Sequence, residues 1–257
     1  MHIMRKVKKN GMAALIIVSL MSIACAPNQY SIRSVESKSV ALDQRWDGRA
    51  NPELTTLVES YKARVDSEMN LVVGKATQTL NVGFPQSKLS NFTADMMFNI
   101  GDEIWKNVDF AIINMGGLRT SMNEGDITVR ELFEIFPFEN RLVLLELQAS
   151  DVEELFEFIA FNGGEGLSKN LQLIVKNRKI ESLKIGGKPV VKDKIYRIVT
   201  VDFLAEGKDG MVALRKAQNR FDSQEILRNM MIRYIQRLTD NNQEVNAEMD
   251  NRITIIQ

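Results

Sequence analysis

Two glycines follow a short apolar run, and polar side chains flank them. The run, residues 108–113, is bulky and β-branched, which predicts a buried strand. Asn114 then offers an amide and Arg119 a planar cationic fork with several donors. Gly116 and Gly117 lie between them, and glycine lets a backbone turn tightly or approach a ligand closely. These groups suit a binding site, although a plain strand-to-loop turn with a surface arginine fits the same residues.

Three further motifs follow this segment along the chain. In order they are Gly125-Asp126-Ile127-Thr128, then Phe136-Pro137-Phe138-Glu139-Asn140, then Asp202-Phe203 with Gly207-Lys208-Asp209-Gly210. With Asn114-Met115-Gly116-Gly117-Leu118-Arg119, they resemble the C-terminal domain of the 5′-nucleotidase family over roughly residues 70–256. Each motif alone is a weak signal, and their common order makes the resemblance specific.

The resemblance implies that Phe138 and Phe203 sandwich a nucleobase. Stacking tolerates any base because every base has a π-face, and it contributes about 1–3 kcal/mol per base. Both phenylalanines fit a place in the core as well. The Pro-Phe turn around Phe138 favours exposure, whereas for Phe203 only the resemblance favours the site.

Polar roles also follow from the resemblance. Asn114, Asn140 and Asp209 would contact base and ribose, since a carboxylate can accept hydrogen bonds from both hydroxyls of a diol. Gly117 would lie at the same site, and Arg119 would face the phosphate or the edge of the nucleoside. Asn140 equally fits an Asx turn and Asp209 a Lys-Asp-Gly turn.

Backbone approach to the ligand is implied for one of two glycines in a glycine-rich loop. These are Gly163 and Gly164, and the resemblance does not say which of them makes the contact.

Two departures from the family pattern concern the phosphate. If Gln86 holds the family's acidic or amide position, the expected arginine falls on Gly83, and residues 65–107 contain no arginine. Glu139 replaces a small residue and adds negative charge. Base binding is therefore better supported than phosphate binding.

The elements that must position these residues form an α/β (mixed α+β) fold, a mixed sheet with packed helices. We expect strands at 71–73, 108–113, 142–147, 171–175, 180–185, 190–191, 196–202 and 252–256. We expect helices at 52–66, from Ser90 or Asn91 to about Lys106, after the Thr128 and Ser150 capping boxes, and after Asp222. Asn91 and Asp95 match the start of a family helix.

The N-terminus predicts export. Basic residues precede an apolar run at residues 12–24, which is short for a membrane span and typical of a secretory signal. The run ends in small residues before Cys25, the only cysteine, as in a bacterial lipoprotein that carries lipid on this sulfur. An ordinary signal peptide with an incidental cysteine fits as well.

Composition excludes several kinds of chemistry. The formal net charge is zero, so no basic excess indicates a nucleic acid polymer as partner. The only histidine, His2, lies in the predicted signal, so the mature chain lacks histidine-based acid–base catalysis and Cys/His metal sites.

We therefore expect three segments: a lipoprotein signal peptide at 1–24, a tether at 25–50, and a substrate-binding domain at 51–257. The predicted function is nucleoside or nucleotide binding, as the substrate-recognition half of a nucleotide hydrolase. The metallophosphatase half would be a separate chain, and divalent metals would lie there, with no cofactor in this chain. A non-catalytic nucleoside-binding or scaffold lipoprotein is the alternative. Localisation would be exported, on a bacterial membrane through the lipid.

Overall fold

A computed structural model describes residues 30–49 and 51–256. The predicted signal peptide, Cys25 and the start of the predicted tether lie outside the described residues. The chain divides into two units, Met1–Thr55 and Thr56–Gln257. Among the described residues of the first unit, a 3-10 helix occupies Gln44–Arg49 and residues 30–42 carry no regular secondary structure.

The described residues form both helices and strands. The helices are α1 (Pro52–Met69), α2 (Lys88–Trp105), α3 (Val129–Ile135), α4 (Ala149–Asn162), α5 (Asp202–Ala205) and α6 (Leu227–Asp240). The strands are β1 (Val72–Ala76), β2 (Phe110–Ile113), β3 (Gly125–Thr128), β4 (Arg141–Gln148), β5 (Gly166–Leu167), β6 (Leu171–Lys176), β7 (Lys179–Ile185), β8 (Lys188–Pro189), β9 (Ile195–Val201), β10 (Asn219–Ile226) and β11 (Ile253–Ile256).

A five-stranded mixed sheet organises the second unit. Its order is β10-β4-β9-β2-β5, in which β2 and β9 are parallel and the other pairs antiparallel. A second mixed sheet has the order β11-β6-β7-β8, and β1 pairs with β3. The expected mixed α+β class with helices packed on a mixed sheet is confirmed.

The core lies around the five-stranded sheet. Every residue of β2 is buried, so both faces of the strand are covered, and α2 and α4 pack against the sheet. Phe110 of β2 and Phe156 of α4 are fully buried and meet edge to face, with ring centroids 5.5 Å apart. This packing fixes the strand ends that carry the polar residues.

Three predicted helix starts are wrong. Ser87, not Ser90 or Asn91, caps α2: its hydroxyl accepts from Ser90 N, and Ser90 Oγ accepts from Ser87 N. Ser150 lies inside α4, because β4 pairs with β9 through Gln148 and runs directly into the helix. Strand pairing thus sets that start without a side-chain cap.

The third wrong start concerns Asp222. The polar segment Asn219–Ile226 is the edge strand β10, since Phe221 and Asp222 pair with β4, and α6 begins only at Leu227. A short polar run can form a strand when its neighbour supplies the ladder, which local pattern does not reveal.

Two further expectations changed. The strand predicted at 190–191 is Lys188–Pro189, because pairing resumes directly after the Gly186-Gly187 turn. Helix α1 extends to Met69, and its apolar residues in the second unit, Leu57, Val58, Tyr61 and Val65, are exposed.

Among the described helices, none has the length and apolar character needed to cross a membrane.

Candidate functional site

Three strands bring four of the predicted site residues to one edge of the five-stranded sheet. β2 and β9 are parallel, so their carboxyl ends share an edge, and Asn114 and Phe203 follow those ends. The antiparallel strand β4 starts at the same edge, where Leu142 pairs with Val201. The segment containing Phe138 and Asn140 precedes that start. Residues far apart in sequence therefore converge because of the sheet topology.

The convergence forms a cavity of about 330 Å³, called here the sheet-edge cavity. It is lined by Asn114, Gly116, Gly117, Arg119, Phe138, Asn140, Phe203 and Asp209. Seven of the nine residues predicted to bind substrate are in this lining; Gly163 and Gly164 are not, and Gly116 is an addition. The volume suits a small organic ligand.

The buried Asn114 and the exposed Asp209 are joined by a hydrogen bond in the lining of the cavity. Asn114 is 4% exposed, and its Nδ2 donates to Asp209 Oδ2 at 2.5 Å. Asn114 Oδ1 is buried and accepts no hydrogen bond from the described residues. A Cβ at Gly117 would lie 2.9 Å from that oxygen, so the glycine makes room for the amide.

Asp209 combines a turn role with a site role. Its φ of 51° is left-handed, within the 3-10 turn Lys208–Gly210, and aspartate tolerates this conformation better than most residues. The turn chemistry considered from sequence therefore holds for the backbone. The same conformation accompanies a carboxylate that meets Asn114 and lines the cavity.

The loop that carries Phe138 is held at both ends by the start of α6. Leu227 N donates to the Asn140 carbonyl at 2.8 Å, and the buried Arg228 donates from Nη1 to the Phe136 carbonyl at 2.8 Å. The Arg228 guanidinium also stacks 3.8 Å from the ring centroid of Phe133. These contacts fix the loop while the Asn140 side chain forms no hydrogen bond with the described residues, so no Asx turn occupies it.

The exposure of the two phenylalanines decides against the core alternative. Phe138 is 47% exposed and Phe203 is 39% exposed, whereas the core phenylalanines Phe110 and Phe156 are fully buried. Both rings line one cavity, Phe138 from the loop before β4 and Phe203 from the short helix α5, where the sequence predicts two loops. A planar apolar group could therefore contact both rings.

Gly163 and Gly164 do not line the cavity, and each has a structural role. Gly163, with φ of 88°, ends α4 in the left-handed conformation that glycine adopts without strain. A Cβ at Gly164 would lie 2.1 Å from the Pro85 carbonyl oxygen. The backbone conformation thus favours glycine at position 163 and close packing requires it at position 164, and contact of either residue with a ligand stays a prediction.

A residue that sequence reasoning missed lies directly after these glycines. Glu165 is only 8% exposed, and its Oε2 accepts from Met115 N at 2.6 Å. Pairing of Gly166 with Ile113 between β5 and β2 brings it there. Burial raises the pKa of Glu165 to about 7; the Met115 N–H opposes this shift and the nearby Asp209 charge adds to it. An acidic residue in a glycine-rich loop was the available signal.

Two charged side chains predicted near the site, Arg119 and Glu139, are exposed to solvent. Arg119 is exposed, and its Nη1 lies 3.3 Å from the Gly116 carbonyl oxygen. Glu139, the added negative charge, is exposed and acts electrostatically on Arg228. Burial lowers the pKa of Arg228, and the Glu139 charge opposes that shift. Arg228 therefore offsets part of the negative charge that Glu139 brings.

Within residues 30–49 and 51–256, no three His, Cys, Asp or Glu side chains are grouped so that they could hold a metal ion.

The fold and the cavity define a mixed α+β domain with a ligand-sized site at a sheet edge. The family described as 5′-nucleotidase, C-terminal domain, matches residues 72–216. The chain belongs to this family.

Curated relatives align with part of this chain. A protein UshA of Yersinia enterocolitica is 32% identical over 163 residues, which cover 61% of this chain and 28% of that protein. Protein UshA of Escherichia coli is 26% identical over 170 residues, covering 62% and 30%. The aligned region thus spans less than a third of the length of these relatives.

Solved structures show the same fold. The 5′-nucleotidase precursor from Thermus thermophilus superposes with a TM-score of 0.68 at 23% identity, covering 79% of this chain and 43% of that one. The NAD nucleotidase of Haemophilus influenzae gives a TM-score of 0.61 at 20% identity, covering 85% and 43%.

Proposed function

We propose that the sheet-edge cavity binds a nucleoside or the nucleoside part of a nucleotide. The observation that carries the proposal is the pair Phe138 and Phe203, two half-exposed rings from separate segments of the chain. They line one cavity with Asn114, Asn140 and Asp209. Two rings suit a planar base, and a carboxylate suits the ribose hydroxyls. Membership of the 5′-nucleotidase C-terminal family supports a nucleotide-binding domain.

Binding of adenosine, uridine and AMP, measured by isothermal titration calorimetry, tests this proposal. Phe138→Ala and Phe203→Ala should each weaken binding by about 1–3 kcal/mol, because each removes one stacking face. Phe221→Ala is the matched control: Phe221 is 45% exposed on β10 and lies outside the cavity lining.

The control should bind like the wild type. Equal losses in all three variants, or no binding of any probe by the folded wild type, would contradict the proposal.

We further propose that the domain is the substrate-recognition half of a hydrolase for nucleotide phosphate esters, with the metallophosphatase half on another chain. Some relatives are named 5′-nucleotidase, and the aligned region spans less than a third of the UshA relatives. Hydrolysis with two metal ions needs a cage of ligands on both ions. That cage would belong to the partner.

Reconstitution tests whether hydrolysis depends on a separate catalytic chain. The purified chain with a divalent metal should release no phosphate from AMP above background, and an exported metallophosphatase chain from the same source should restore turnover. Arg119→Ala or Phe138→Ala should then lower that turnover. Metal-dependent phosphate release by the chain alone, surviving repurification and abolished by Asp209→Asn, would contradict the assignment.

Lipid attachment at Cys25 and export to a bacterial membrane complete the proposal. Its support is the apolar run with basic start that ends at the only cysteine. On cell fractionation, the Cys25→Ser protein should be lost from the membrane fraction. Retention of that variant at the wild-type level would exclude the anchor.

A further inference from the structure

We propose that Glu165 is a positioning residue of the sheet-edge cavity, which holds the turn bearing Asn114 and couples nucleoside affinity to pH. This inference rests on the proposed function of the cavity. Glu165 itself does not line the cavity.

The geometric basis is the hydrogen bond from Met115 N to Glu165 Oε2, at 2.6 Å. Met115 begins the 3-10 turn Met115–Gly117, and Asn114 is its N-terminal flanking residue, without a side-chain cap. A buried carboxylate that accepts a backbone N–H in this way anchors the turn, since charge-assisted hydrogen bonds are the stronger ones. Asn114 in turn meets Asp209, so one short chain of contacts runs from Glu165 to the cavity.

The charges that face Glu165 set the direction of the pH effect. Asp209, on the Lys208–Gly210 turn, is the ionisable group whose charge acts on it, and the Met115–Gly117 turn presents a backbone N–H. The loop Gly163–Gly166 carries no other ionisable side chain. Arg119 lies beyond the turn, exposed, beside the Gly116 carbonyl.

Burial is the main cause that favours the protonated form of Glu165, and the negative charge of the exposed Asp209 acts in the same direction. Ribose hydroxyls that donate to Asp209 would offset its charge and so ease ionisation of Glu165. Ionised Glu165 is also the better acceptor for Met115 N–H. A nucleoside should therefore bind more tightly to the form with ionised Glu165, and binding should release a proton wherever Glu165 is protonated beforehand.

The experiment is calorimetric titration of the folded domain with adenosine, which is uncharged across the range, from about pH 5.5 to about pH 8.5. In the wild type, Kd should be constant above the pKa of Glu165 and rise by up to about tenfold for each pH unit below it. At about pH 6, the apparent enthalpy should depend on the buffer, because binding releases up to about one proton.

Glu165→Gln keeps the size of the side chain and a carbonyl acceptor but cannot ionise, so its Kd should not show the step. Glu157→Gln is the matched control, since Glu157 lies on α4 and is exposed. It should reproduce the wild-type profile. The buffer measurement uses the wild type alone and holds if Glu165→Gln fails to fold.

Three results would overturn the inference. A flat wild-type profile without proton release, or an unchanged step in Glu165→Gln, would show that Glu165 is structural only. No adenosine binding at any pH would remove the proposed function and this inference with it, an outcome distinct from the first two.

Discussion

Two concave regions of the second unit differ in what their polar groups already contact. The sheet-edge cavity has a volume of about 330 Å³, whereas a cleft between β1, α2, α6 and residues 243–252, called here the C-terminal cleft, has about 1150 Å³. In the larger one, Arg252 binds Asp95 through Nη1 and Nη2, at 2.9 and 3.1 Å, and Asp250 through Nε and Nη2, at 2.8 and 2.6 Å. Its buried charge is already paired.

The smaller cavity has half-exposed rings and amide groups that are not fully hydrogen-bonded. Two rings are half exposed, the Asn140 side chain forms no hydrogen bond with the described residues, and the buried Asn114 Oδ1 also accepts none there. A buried amide oxygen without a partner among the described residues occurs in both regions, since Asn91 Oδ1 belongs to a residue that lines the C-terminal cleft. The pair of half-exposed phenylalanine rings therefore distinguishes the smaller cavity as the candidate for a planar ligand. Asp95, which matches a family helix position, serves the C-terminal cleft as a structural anchor.

Breaking the Arg252 network should produce the largest effect. Arg252→Leu removes a guanidinium that is only 4% exposed from Asp95 and Asp250, and the Leu167 carbonyl loses its 2.6 Å donor. Among the described residues, Asp95 Oδ1 then keeps only the hydrogen bond from Lys169 N. We expect the free energy of unfolding to fall by about 3–5 kcal/mol, measured by urea denaturation, because several charge-assisted hydrogen bonds are lost together with the donor to a buried carbonyl.

The matched control is Arg64→Leu. Arg64 pairs with Glu68 at 3.6 Å on the exposed surface of α1, so its loss should be below about 1 kcal/mol. Adenosine affinity of the folded fraction should be unchanged in both variants. Equal destabilisation of the two variants would show that the C-terminal cleft is not the anchor described above.

The second prediction concerns the pH dependence of stability. Burial raises the pKa of Glu165 from an ordinary value of 4.5 to about 7, so the folded state holds the proton more tightly than the unfolded state. The resulting stabilisation is complete below about pH 4.5 and is lost as pH rises through about 7. It amounts to roughly 3 kcal/mol, which Glu165→Gln should remove from the pH profile.

Urea denaturation of the ligand-free protein at a series of pH values measures this difference, and Glu157→Gln should parallel the wild type. If Glu165→Gln parallels it as well, Glu165 is not a buried titrating group.

Much of the cavity could be predicted from the sequence because its motifs are local. The strand before Asn114, the turn at Gly116 and Gly117, and the exposed Pro-Phe turn at Phe138 all follow from residue types. The meeting of Asn114 with Asp209 could not be derived from local pattern, since it depends on the parallel pairing of β2 with β9. Phe203 meets Phe138 because β4 pairs with β9, so from the sequence only the resemblance linked these two residues.

Two of the wrong helix starts share one physical cause, which is that strand pairing overrides a local capping signal. Ser150 has capping chemistry but lies inside a helix that β4 enters directly. Asp222 has the same chemistry in an edge strand. Glu165 was missed because burial, which shifts its pKa, is a property of the folded chain.

The smallest effect should come from the rim. Arg119→Ala removes an exposed charge from the cavity lining, and we expect AMP binding to weaken by no more than about 1 kcal/mol, with adenosine binding less affected. The loss should shrink as salt is added, since exposed charges are screened. Calorimetry at two salt concentrations measures it, with Arg64→Ala as the control. A larger loss for adenosine than for AMP would place Arg119 at the base or ribose instead of the phosphate.

A crystal structure of the domain with adenosine tests the central claim most directly. The account predicts the base between Phe138 and Phe203, with the ribose hydroxyls on Asp209 and the Arg252 network in the C-terminal cleft unchanged. Adenosine bound in the C-terminal cleft, against Asn91 and Asp95, with the sheet-edge cavity empty, would contradict it.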